Sequence, residues 1–224
     1  MTDRDAIALR EEEREAVAEL LEAAHHLAGL GLSPGSSGNV SVRTGDHVLV
    51  SATGTQMGSL APEGLSRLDL HGNLVDGPRP TKEAPLHLAF YRRSPELRCV
   101  IHLHSPAAVA ASCLPPYSER SALPPITPYF VMRVGQTPLL PYAVPGSVEH
   151  GDSIEGLTFA FRAALLQNHG AVCAGTTVAA AREAAIELEA AAEVLLKLPT
   201  AGYHTLSEEQ AHAVAAAHGS HWDR

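Results

Sequence analysis

Two histidines two residues apart, in Val100-Ile101-His102-Leu103-His104, are the first residues here that could do chemistry. In an extended, β-branched setting, positions i and i+2 point to the same face of a strand. Their neutral imidazoles can then converge on one metal ion, because each ring offers a nitrogen lone pair. His169 closes the apolar run Leu165-Leu166-Gln167-Asn168 just before Gly170, and Glu83 follows Pro80-Thr81-Lys82 at a helix start. Three imidazoles and a carboxylate beside an open coordination position make a catalytic metal site. Taken singly, the pieces are ordinary. A lone H-x-H also describes core or surface histidines, His169 fits a turn, and Glu83 fits a helix N-terminus favoured by the macrodipole.

Two loops have the composition of an anion cradle. Gly35-Ser36-Ser37-Gly38-Asn39 and Ser51-Ala52-Thr53-Gly54 offer hydroxyls, an amide and unobstructed backbone N–H groups. Either alone is also an ordinary turn. Thr81 and Lys82 would add a hydroxyl and a cation to the same pocket, suited to a phosphate or carboxylate. Glu83 could move protons on an enediolate if apolar surroundings raised its pKa towards neutrality.

The elements that must position these groups follow from periodicity and punctuation. An amphipathic helix is expected over Arg10 to Gly29, with Val17, Leu20, Leu21, Ala24 and Leu27 on one face and the run Glu11-Glu12-Glu13-Arg14-Glu15 solvated. A hairpin is expected from Val40 to Ser51 about Thr44-Gly45-Asp46, and two short strands about Gly72. Glu83 to Arg93 reads as a helix, Cys99 to His104 as the histidine strand, and Pro106 to Cys113 as a helix behind a Ser-Pro start. Leu114 to Pro128 reads as loop, and Leu139 to Tyr142 as a short strand with a proline at its edge. Strands are expected at Ala163 to Gln167 and Ala171 to Ala174, and a long helix from Val178 to Leu198. A capping box at Ser207 to Gln210 opens the last helix. Short strands flanked by helices imply an α/β sandwich on a mostly antiparallel sheet.

The chain has 224 residues, enough for one sizeable core, and residues 1–224 are read as one domain. Sixteen Lys and Arg against 25 Asp and Glu give a net charge of −9, which argues against nucleic acid as the main partner. No run reaches membrane-spanning length and the start lacks an apolar signal segment, so the expected location is cytoplasmic. Cys99, Cys113 and Cys173 lack metal-knuckle spacing and read as reduced, mostly packed thiols.

Taken together, Ser36-Ser37-Gly38-Asn39-Val40-Ser41-Val42-Arg43, Thr53-Gly54, Lys82-Glu83, His102-Leu103-His104 and Asn168-His169-Gly170 resemble the class II aldolase/adducin family, in the order that family shows them. The resemblance runs from about Arg14 to about Gln210. It implies a three-layer α/β/α sandwich and a homotetramer with sites between subunits. It also implies a divalent metal, usually zinc, on His102, His104 and His169, with Glu83 as catalytic acid/base. Ser36, Ser37, Gly38, Asn39, Thr53, Gly54 and Thr81 would form the substrate pocket, with Ser36, Asn39, Thr53 and Gly54 at the phosphate. Adducin-like members have lost the metal ligands, whereas this chain keeps them.

Two departures narrow the resemblance. Thr81-Lys82 stands where fucose-type aldolases have two serines, and with Leu123 to Gly135 it looks most like the 3-oxo-tetronate 4-phosphate decarboxylases. Lys82 would then meet a substrate carboxylate. Sugar-phosphate aldolases and epimerases of the family are the alternative. At the position of the aldolases' acid tyrosine this chain has Pro128, with Tyr129 one residue beyond. Tyr129 is the expected proton donor, a packed or interface tyrosine being the other reading. Tyr203 and His204 are weaker candidates from the tail.

Overall fold

The computed structural model describes residues 10–199 and 202–223. An eight-stranded sheet runs through it, made of β1 (Asn39–Thr44), β2 (His47–Ser51), β3 (Leu65–Asp69), β4 (Leu74–Asp76), β5 (Cys99–Leu103), β6 (Leu139–Leu140), β7 (Ala163–Leu166) and β8 (Gly170–Gly175). The order is β4-β3-β2-β1-β5-β8-β7-β6. Every neighbouring pair is antiparallel except β6 with β7, so the sheet is mixed at one edge only. Proline at 138 and 141 suits β6 to that edge.

Alternation along the strands builds two apolar layers. Val40, Val42, Leu49, Ile101, Leu103, Leu165 and Cys173 face α1 (Glu11–Gly29), α3 (Pro106–Ser112), α4 (Pro128–Arg133), α6 (Val178–Lys197) and α7 (Glu208–His218). Val48, Val50, Val100, Leu166 and Val172 face α2 (Ala84–Arg93) and α5 (Glu149–Gly156). The three-layer α/β/α sandwich is therefore as expected. His102 shares the parity of Val100, so its ring lies on the α2 side.

Two helices are absent from the expectation. In α4, Thr127 caps the helix by accepting from the Phe130 N–H, and Pro128 holds the first position, a start signal that six helical residues are too few to reinforce. In α5, Gly151 and Gly156 depress helix propensity. Gly151 is there for packing: a Cβ would stand 3.1 Å from the Pro85 carbonyl oxygen, so the glycine lets α5 close onto α2.

One expectation is overturned. The Glu11 to Glu15 run is not a uniformly solvated face, because Glu13 is buried. Its two oxygens accept from Arg67 Nε at 3.1 Å and Nη2 at 2.6 Å, and Oε2 also accepts the Arg10 N–H. Helical periodicity puts Glu13 on the core side, and the sheet supplies its guanidinium partner from β3. Cys99 and Cys173 are buried, as expected of packed thiols, and Cys113 is exposed.

Candidate metal centre and substrate cleft

The histidine strand β5 lies in the middle of the sheet between β1 and β8, and its end delivers His102 and His104 to one point. His169 comes from the turn joining β7 to β8. Asn168 takes a left-handed backbone there (φ 57°), which asparagine tolerates. Gly170 follows because a Cβ would stand 2.3 Å from the Leu103 carbonyl oxygen. Glu83 immediately precedes α2.

These four side chains form a tight donor set. Nε2 of His104 lies 3.0 Å from Nε2 of His102 and 3.1 Å from Nε2 of His169. Glu83 Oε2 is 3.2 Å from His102 Nε2, and Oε1 is 3.4 Å from His169 Nε2. Ligand bonds of about 2.0–2.1 Å in a tetrahedron imply donor separations of about 3.3 Å, so the observed spacing fits one small divalent cation. One N–H between nitrogens could satisfy only one of these contacts. The His102 tautomer follows from its other nitrogen, whose Nδ1–H donates to the Ala171 carbonyl at 2.9 Å and leaves the Nε2 lone pair free.

Electrostatics favour the ligand forms. Burial, with His102 nearby, pushes His104 down to about 4, and the same causes push His169 down to about 4. Burial pushes the Glu83 carboxyl up, but His102, the Asn39 hydrogen bond and His169 pull it further down, well below the usual carboxylate range. Apolar surroundings thus do raise Glu83, and its charged and hydrogen-bonding partners outweigh them, leaving it an anion in the metal-free protein.

Behind Glu83 runs a buried relay. Asn39 Nδ2 donates to Glu83 Oε2 at 2.9 Å, so its Oδ1 is left to accept from His87 Nε2 at 2.5 Å. His87 Nδ1 then accepts from Ser41 Oγ at 2.7 Å, and Ser41 Oγ accepts from the Tyr91 hydroxyl at 2.8 Å. The direction is fixed because burial pushes His87 down to about 3 and leaves it neutral. Asn39, expected at the phosphate, has both ends of its amide committed to this relay.

A cleft of about 260 Å³ opens beside the donor set. Ser36, Ser37, Gly38, Asn39, Thr53, Gly54, Thr81, Lys82, Glu83 and His104 all line it, together with Ala52, Thr55 and Pro145. The two glycine and hydroxyl loops expected to cradle an anion thus meet at one place. Thr81 is held there by its N–H donating to the Ser51 carbonyl, and its hydroxyl accepts the Glu83 N–H at 3.3 Å.

Comparison with known proteins agrees with this geometry. A model of the Class II Aldolase and Adducin N-terminal domain matches residues 18–196. The chain belongs to that family. A 3-oxo-tetronate 4-phosphate decarboxylase of Haemophilus influenzae is 42% identical over 169 residues, covering 75% of this chain and 80% of that protein. An L-fuculose phosphate aldolase of Methanocaldococcus jannaschii is 33% identical over 141 residues, covering 63% and 74%. Among solved structures, YgbL of Klebsiella pneumoniae, described as a candidate aldolase, epimerase or decarboxylase, matches with a TM-score of 0.86 at 32% identity. That match covers 92% of this chain and all of that one.

Not every expected residue joins the family's site within this chain. Tyr129 lies on α4, 56% exposed beneath Arg133, and does not line the cleft. Tyr203 lines a separate apolar groove with Leu114 and Leu198. His204 lies beside it in sequence, outside the residues that line the cleft. Two histidines beside the site went unforeseen. His87 was legible in principle, since Glu83, His87 and Tyr91 recur at four-residue spacing on one helix face. His150 had no such signal, because the glycines of α5 hide the helix that carries it. Burial pushes His150 down, and its ring centroid is 5.7 Å from that of His169.

Proposed function

We propose that this protein is a zinc-dependent lyase that decarboxylates a 3-oxo-tetronate 4-phosphate to a three-carbon ketose phosphate and CO2. The observation that carries the reading is the set of three Nε2 atoms and one carboxylate at about 3 Å spacing on the wall of a hydroxyl-lined cleft with Lys82 on its lining. Identity to decarboxylases of this substrate supports the choice within the family.

His102, His104 and His169 would hold the metal, which supplies Lewis acidity at the ketone oxygen. Ser36 and Thr53 offer hydroxyls that make no internal hydrogen bond among the described residues, and with the glycine backbone of Gly38 and Gly54 they would hold the phosphate. Asn39 instead fixes Glu83 while lining the pocket beside Ser37 and Thr81. Lys82 would pair with the substrate carboxylate. Loss of CO2 breaks the C1–C2 bond and leaves its electron pair in a C2–C3 enediolate, which then needs one proton at C2. Glu83, once it has taken a proton from water, is placed to deliver it to C2. Tyr129 is the alternative donor of that same proton, and its exposure suits it to act across a subunit boundary.

We read residues 1–224 as one domain of a cytoplasmic homotetramer with sites between subunits. Among the described residues no helix is long and apolar enough to cross a membrane. Nucleic acid is not expected as a partner, given the net charge of −9.

Aldol cleavage is the second reading, favoured by the identity to L-fuculose phosphate aldolase. A panel of 3-oxo sugar-acid phosphates and ketose phosphates, scored for CO2 against aldehyde, decides between them. CO2 without aldehyde is the expected result, and aldehyde without CO2 replaces the decarboxylase with an aldolase. An adducin-like binding role would require no metal and no turnover on any member of the panel.

A further inference from the structure

Near the donor set, two ring nitrogens are buried and make no hydrogen bond: Nδ1 of His169 and Nε2 of His150. They belong to neighbouring rings, tilted by 38° with centroids 5.7 Å apart. His150 is 2% exposed, so water does not compensate it from outside. A third orphan, Glu83 Oε1, faces the ligand side of His169, 3.4 Å from its Nε2.

The two nitrogens have complementary needs. A neutral imidazole carries one N–H and one lone pair. If His169 presents its Nε2 lone pair to a cation, its proton sits on Nδ1 and must find an acceptor. Ligating histidines commonly donate that second N–H to a neighbouring group, which fixes ring orientation and raises ligand basicity. His102 does so to the Ala171 carbonyl. Around His169 the unpaired acceptor is another imidazole. Two rings sharing an N–H···N bond of about 3 Å lie with centroids roughly 5 Å apart, a fraction of an ångström closer than here. The fold spends a glycine to bring them together, since Gly151, next to His150, is what lets α5 close onto Pro85 and α2.

We propose that His150 is a positioning residue whose Nε2 accepts the Nδ1–H of His169 and thereby sets the His169 tautomer for metal binding. The inference rests on His169 being a ligand, as argued above. It assigns α5, which carries no ligand, a part in metal affinity.

Two measurements test it. Long-range 1H–15N NMR of the metal-free wild-type protein should show His169 protonated on Nδ1 and His150 unprotonated on Nε2. A His169 protonated on Nε2 overturns the proposal whatever the variants do. Zinc affinity is then read by chelator competition for the wild type, His150→Gln and His150→Leu, each first checked for a cooperative melt without metal. His150→Leu should bind zinc 10- to 100-fold more weakly. His150→Gln, whose amide oxygen can stand near the lost Nε2, should stay within about threefold of the wild type. A Leu variant within twofold of the wild type, or a Gln variant as weak as Leu, overturns the assignment. A wild-type protein that takes up no zinc would overturn the metal reading itself, and the tautomers in the metal-free protein would still decide this one.

Discussion

Two of the buried polar clusters among the described residues are completed differently. At the first, Arg67 of β3 answers Glu13 through Nε and Nη2 and Asp76 through Nη1 at 2.9 Å, with 4% of the Arg67 side chain and 2% of the Glu13 side chain exposed. Each charge there has an opposite within the chain, and each Glu13 oxygen accepts from a donor. At the second, Glu83 and three imidazoles turn one negative charge and three acceptor nitrogens towards a common point. A carboxylate and lone pairs repel unless something positive joins them. The first cluster is complete as a piece of architecture, and the second is complete only with a cation. Burial of polar groups alone does not mark a site; the mark is donors and acceptors that fail to cancel.

The comparison breaks most sharply at the second cluster. His102→Ala removes a ligand from a site with no spare, so metal content and turnover should both vanish while the protein stays folded. Elemental analysis that found the metal retained would move the site elsewhere. Glu83→Gln keeps shape and ligands but removes the titratable group, and kcat should fall by roughly two to four orders with KM little changed. A fall in KM-limited rates alone would make Glu83 a binding residue.

The first cluster should respond in stability and nothing else. Glu13→Ala leaves a buried guanidinium with Asp76 as its carboxylate, and breaking such a pair costs about 3 kcal/mol. For a chain of this size that is roughly a 6–12 °C lower melting temperature. Zinc affinity should be unchanged, and a parallel loss of metal would mean that the two clusters are not separate.

How much of this was legible follows the same division. The sandwich, the histidine strand, the Asn168-His169-Gly170 turn and the two hydroxyl loops were readable because alternation, glycine punctuation and family motifs all act locally or in fixed order. Glu13 was misjudged because five adjacent charges read as a solvated face, and its partner lies 54 residues away in β3. His150 was invisible for a related reason: its meaning depends on α5 meeting α2, a packing event that Gly151 permits and no periodicity announces. The lowered Glu83 carboxyl likewise needs the distances to His102, His169 and Asn39, which the sequence does not contain.

Acid should sharpen the contrast. His87, His104 and His169 sit below their ordinary value of 6.5, at about 3, 4 and 4, so in metal-free protein the unfolded chain binds more protons between pH 6.5 and 4. Their contribution to stability is present above about pH 6.5 and lost as pH falls. Glu83, also lowered, loses its share in the same direction below about 4.5. His87, fully buried behind the relay, should alone account for about 2 kcal/mol by pH 5. His87→Gln should remove that part of the slope in melts from pH 8 to 5. An unchanged slope would mean that His87 is already charged in the fold, and the bond to Ser41 would then run from the His87 Nδ1–H to Ser41 Oγ.

The smallest expected effect concerns Lys82, which decides what kind of substrate the second cluster serves. Its side chain lines the cleft but is exposed, and the loop at Gly146 packs against its Cβ, where an added methyl would come within 2.8 Å. A charge-assisted contact from an exposed cation is screened, so pairing with a substrate carboxylate should contribute about 1.5 kcal/mol, roughly tenfold in binding. Lys82→Met keeps the length of the stem and its packing on the loop while removing the charge. KM for a 3-oxo-tetronate 4-phosphate should therefore rise about tenfold with kcat nearly constant, and a ketose phosphate without a carboxylate should bind as before. If kcat fell on both substrates alike, Lys82 would be acting on the reacting atoms or the phosphate that both share. The charge beside Glu83 would then say nothing about a carboxylate, and the choice of decarboxylation over aldol cleavage would rest on the gas released in the assay alone.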